Sequence, residues 1–148
     1  MTVKTLIAAL FLPLCAFAGH PRLFFQADDV PSLREKAKKG PFASMLREIR
    51  KQAAAPPNDN LMYAFALRNE AYIHLLTGDR EAAGRAAQLA LRLVDNQEFW
   101  NNPGSKGLSR AMGVLNVAVA YDICHDAWPT EVRGRISSQL AYAARNLM

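Results

Sequence analysis

Tyr121, Asp122 and His125 lie within the run AYDICHDAWP, residues 120–129. At the helical turn of about 100° per residue they share an arc of about 100°. A phenol, a carboxylate and an imidazole on one face are groups that acid–base catalysis uses. One can take a proton from a carbon acidified by an adjacent carboxylate, and another can protonate a departing glycosidic oxygen. Such a set suits β-elimination from a uronate. Its position favours a structural role, because polar groups at the end of a buried helix more often satisfy free carbonyls or a neighbouring loop. Tyr121 and His125 are therefore candidate substrate-binding residues, not an assigned acid and base.

Two other segments offer ligand chemistry. Phe99-Trp100-Asn101-Asn102 places an aromatic face beside amide donors, so Trp100 and Asn101 are candidates for stacking on and hydrogen-bonding a sugar; the alternative is an aromatic lid between helices. Arg22, in HPRLFF (residues 20–25), can reach a carboxylate as a bidentate donor; the alternative is that Leu23, Phe24 and Phe25 simply anchor the segment, with Arg22 on the rim. Glu70 and His74 stand one turn apart like two metal ligands, but without a third no metal site is assigned. Gly104-Ser105-Lys106-Gly107 lacks the spacing of a phosphate-binding loop. Cys124, at the end of an apolar helix, reads as a small buried hydrophobe and not as a nucleophile.

Helices must position these groups. Asp29 can cap a short helix with Val30, Leu33 and Ala37 inward and Gly40 at its end. Pro41 opens the next, whose stripe is Phe42, Met45, Leu46, Ile49 and Ala53, and Pro56-Pro57 stops it. Asn58 or Asp59 caps a third through Leu76, apolar on most faces. Thr77-Gly78-Asp79 makes a tight turn, and Arg80 to Val94 carries a one-sided stripe of Ala82, Ala86, Leu89 and Leu93 with an exposed Glu81–Arg85 pair. After a loop from Asp95 to Gly107 comes a second helix apolar nearly all round, from Leu108, and then a one-sided helix from Thr130.

Buried and one-sided helices thus take turns, short loops favour antiparallel neighbours, and no segment has the period of two that a strand requires. The expected fold is all-α, with antiparallel helical hairpins forming part of an incomplete (α/α) toroid. A tetratricopeptide-like binding module is the alternative, suggested by AYIHLLTGDREAAGRAAQLAL. Against it, the two buried helices begin roughly 47 residues apart, not the 34 of that repeat.

Residues 1–18 carry Lys4, an apolar run from Leu6 to Leu14, and Ala16-Phe17-Ala18 before Gly19, the order of a secretory signal peptide. The apolar run is well short of the roughly 20 residues that span a bilayer. The mature chain then begins near Gly19, periplasmic or secreted, with no stable membrane anchor, and Cys124 as its one cysteine has no disulfide partner. The formal charge of +5 drops by one with Lys4, and its basic excess is spread along the chain. Outside the cytoplasm such a field favours an acidic polysaccharide or an envelope surface over nucleic acid as partner; the alternative is a solvated basic surface with no particular partner. The final helical segment stops without a cap, proline or polar tail, the pattern of a truncated chain.

HPRLFF, AYIHLLTGD and AYDICHDAWP, in that order, resemble the N-terminal region of the heparinase II/III-like and oligo-alginate lyase proteins. The resemblance covers most of residues 19–148. It implies an α/α toroid ahead of a β-rich domain, and cleavage of an anionic, uronate-containing oligo- or polysaccharide by β-elimination without a cofactor. In those lyases the catalytic asparagine, histidine and tyrosine belong to later inner helices and loops. No catalytic residue is carried over to this chain; they are expected beyond Met148.

Overall fold

A computed structural model describes residues 19–101 and 107–146. Residues 1–18, read above as a signal peptide, most of the segment from Gly104 to Gly107 and the end of the chain lie outside the described residues. Every regular element among the described residues is helical. A 3-10 turn at Ala27–Asp29 leads into α1 (Val30–Ala37) and α2 (Gly40–Ala54), followed by α3 (Asn60–Thr77) and α4 (Arg80–Asp95). The short α5 (Gln97–Asn101) precedes α6 (Leu108–Cys124); a 3-10 turn at His125–Ala127 then leads to α7 (Thr130–Asn146). None of these helices is long and apolar enough to cross a membrane.

Local chemistry sets most boundaries. Asp59 caps α3 by accepting the Met62 N–H at 2.8 Å, and Gly78 ends it at φ +77°, a left-handed conformation that costs glycine little. Asp79 then caps α4, accepting from Glu81 N–H and Ala82 N–H at 2.9 and 3.3 Å. Two expectations shift. Asp29 does not cap α1; its carboxylate accepts the Gln26 N–H at 2.9 Å instead. Gly40 does not end α1 but opens α2, at φ +52°. The loop expected from Asp95 to Gly107 contains α5, held at its start by Asn96, whose side chain accepts from Phe99 N–H at 3.0 Å.

Packing centres on α3, which touches α1, α2, α4 and α6; α7 lies against α4 and α6. Leu67, Leu93, Trp100, Val117, Cys124 and Ile136 form the innermost layer. Each indole is tied to the backbone of α4: Trp100 Nε1 donates to Leu93 O at 2.7 Å and Trp128 Nε1 to Ala83 O at 2.8 Å. Arg68 Nη1 donates to Asn116 Oδ1 at 3.3 Å, and further along both helices His74 and Asp126 line one small cavity. α3 and α6 therefore advance in the same direction. The stripe assigned to α2 is only partly inward: Leu46, Ile49 and Ala53 are half-buried, but Phe42 and Met45 are 52% and 58% exposed. α2 touches α1 and α3, and Phe42 and Met45 lie on the part of its surface that neither covers.

Candidate functional site

The site lies where the N-terminal segment crosses the end of α6. Asp122 occupies the last turn of that helix, and its side chain is only 8% exposed. A buried carboxylate needs partners, and here all of them come from residues about a hundred positions earlier. Asp122 Oδ2 accepts the Arg22 N–H at 2.7 Å and the Leu23 N–H at 2.8 Å, while Oδ1 lies 2.8 Å from His20 Nδ1. Burial pushes this carboxyl upward, but the bonds from Leu23 N–H, His20 and Arg22 N–H together outweigh it and hold the group below the usual carboxylate range.

His125 follows directly on α6, in the 3-10 turn that lets Trp128 N–H donate back to Cys124 O at 2.9 Å. Its ring stacks on His20 with centroids 3.9 Å apart and planes 25° from parallel. Tyr121 meets the same ring edge-on at 5.5 Å. His125 Nδ1 is 2.8 Å from Asp126 Oδ1, and that bond is the main reason the Asp126 carboxyl sits below its ordinary range. An ionised carboxylate only accepts, so each imidazole carries a proton on Nδ1 and turns Nε2 away from its carboxylate. Two half-buried, stacked imidazoles of fixed orientation result. Such a pair can accept hydrogen bonds from hydroxyls and, when protonated, face an anionic group.

The predicted residues separate into two groups. Tyr121, His125 and Arg22 come together here: the Arg22 backbone is bound to Asp122, and its exposed side chain returns through Nε to Gly19 O at 3.3 Å. Trp100 does not join them. It is fully buried, packs edge-to-face on Phe99 and spends its N–H on Leu93, so it fills the gap between helices and presents no face for stacking a sugar. Asn101 ends α5, and its side chain lies outside the described residues. The anchoring expected of Leu23 and Phe24 is also corrected, since both are exposed; Phe25 packs on the core, Pro21 is buried, and Asp122 holds the backbone.

His20 and Asp122 as a pair were missed, because nothing in the local sequence links residues so far apart. An unexplained acid in an apolar helix was the available signal. The Glu70–His74 spacing has another use: Arg85 grips Glu70 through two bonds of 2.9 and 3.0 Å, and His74 Nδ1 donates to Asp79 O at 2.8 Å. Arg85 thus reaches across to α3 in place of the expected pairing with Glu81. Cys124 is completely buried, and burial pushes its thiol up to about 12. Among the described residues no group of three or more metal-ligating side chains is assembled. No family model, no curated protein and no solved structure matches the chain.

Proposed function

We propose that this chain forms one wall of a cleft for an acidic, uronate-containing glycan, as the N-terminal part of a periplasmic or secreted lyase acting by β-elimination. The observation that carries the reading is convergence. The three separated patches that resemble heparinase II/III-like lyases meet at one end of the helices: HPRLFF is bound to Asp122 of AYDICHDAWP, and His74 of AYIHLLTGD shares a cavity with Asp126. Arg22 and His125 at the rim would meet the acid groups of the glycan, and Tyr121 would border them.

Helices running the same way at the centre, with α4 and α7 outside them, support an antiparallel-hairpin arrangement of the (α/α) toroid kind. In the reaction proposed for the complete lyase, a base takes the proton beside the uronate carboxylate. A carbon–carbon double bond forms as the glycosidic carbon–oxygen bond breaks, and an acid protonates the leaving oxygen. No proton-transfer role is assigned to this chain.

The test is titration calorimetry of the chain with alginate and heparin oligosaccharides, alongside neutral dextran oligosaccharides of matched length. Saturable binding confined to an acidic glycan, weakened tenfold or more by Arg22→Ala together with His125→Ala, is expected. Equal affinity for the neutral series would overturn the reading.

A further inference from the structure

A second cavity, of about 500 Å³, opens between the end of α2 and the outer face of α3, beneath the Pro56-Pro57 turn. It is the size of a small-molecule pocket, typically about 300–1,000 Å³. Its lining includes one cation, Arg68, three amides, Gln52, Asn58 and Asn69, and the ring of Phe65, but no acidic side chain. Arg68 is held in place without being neutralised. Its guanidinium lies 5.0 Å from the Phe65 ring centroid and 5.9 Å from that of Tyr72, and Nη1 donates to Asn116 at 3.3 Å. Its Nε is buried with no hydrogen-bond partner, and no carboxylate among the described residues forms an ion pair with it.

A fixed, half-buried guanidinium lacking a counter-charge is costly unless an anion joins it. We infer that this cavity binds a carboxylate carried on a hydroxylated ring, with Arg68 taking the carboxylate. One guanidinium without a second cation matches a single negative charge better than a phosphate dianion. The three amides offer both donors and acceptors to ring hydroxyls, and Phe65 and the prolines cover the apolar face of the ring. This rests on the acidic-glycan reading for the class of ligand, while the location rests on the cavity alone.

Glucuronate is the probe, titrated into the full chain by calorimetry, with glucose as the ring without charge and acetate as the charge without ring. Glucuronate should bind saturably and at least tenfold more tightly than either control, and Arg68→Gln should lower its affinity tenfold or more without changing the response to glucose. Unchanged glucuronate affinity in Arg68→Gln, or no preference over glucose, overturns the assignment. Should Arg68→Gln fail to fold, Asn58→Trp at the exposed rim must block binding, and binding that survives it counts against the pocket. Acidic oligosaccharides that bind the native chain when glucuronate does not sink this pocket and leave the glycan-binding reading standing; failure of glucuronate and oligosaccharides alike sinks both.

Discussion

Asp122→Ala tests the joint on which the candidate site depends. The carboxylate receives three hydrogen bonds, of 2.7, 2.8 and 2.8 Å, and bonds to a charged group contribute about 1.5–3 kcal/mol each when broken in isolation. That total is not what the variant should lose. Arg22 and Leu23 are exposed, so their freed amides return to water, and each released backbone residue regains about 1–2 kcal/mol of conformational entropy. The loss is capped at the free energy that docks the segment on α6, and a net cost of about 1–3 kcal/mol follows.

pH adds a second signature. A folded-state pKa held below the unfolded value near 3.9 means the unfolded chain binds more protons between the two values, so stability there rises with pH. Asp122 therefore stabilises the fold fully above the unfolded value, and the contribution fades as pH falls through the folded one. Urea unfolding of the native chain and of Asp122→Ala should differ by a constant amount from neutral pH down to about 5, the gap then closing on acidification. Amide exchange at Arg22 and Leu23 should accelerate in the variant. A variant as stable as the native chain at neutral pH, or a gap that widens in acid, would refute the reasoning.

Gly113→Ala should destabilise by about 1–3 kcal/mol, since a Cβ there would sit 2.2 Å from the Phe99 ring, which the buried Trp100 backs. Gly84→Ala and Gly134→Ala, with nothing within 4 Å, should instead gain up to about 1 kcal/mol in the same denaturation experiment, and the reverse order would contradict the packing. Arg85→Met strips the buried Glu70 carboxylate of both its bonds and should cost about 1.5–3 kcal/mol by thermal unfolding. Adding Glu70→Leu should recover most of that, because an apolar pair replaces an orphaned charge. Cys124, with its thiol pushed up to about 12 by burial, should resist iodoacetamide in the folded chain and react once urea unfolds it; rapid labelling of native protein would disprove the burial.

The parts of the fold that were legible in the sequence are those governed by near neighbours. Asp59, Gly78 and Asp79 act within four residues of themselves, and each does what its type suggests. The apolar character of α3 and α6 foretold their central place, because a helix without a polar face can only be surrounded. The missed features are decisions made over distance. Arg85 can reach Glu81 on its own helix or Glu70 on α3, and only the approach of the two helices makes the latter available. Trp100 is written identically whether it stacks on a ligand or plugs a gap. Tyr121, Asp122 and His125 are grouped by their spacing, whereas His20, which bonds to Asp122 and stacks on His125, comes from the other end of the chain.

The polar residues inside α3 and α6 divide by whether their bonding needs are met. Glu70 has Arg85, and Asp122 has His20 and two backbone amides, so both acids are satisfied. Arg68 Nε on α3 and Arg110 Nε and Asn116 Nδ2 on α6 are buried without partners, as is Gln139 Nε2 on α7, and all four are donors. Of these residues only Arg68 lines the cavity beneath the Pro56-Pro57 turn, and there a carboxylate would supply the counter-charge that the guanidinium lacks.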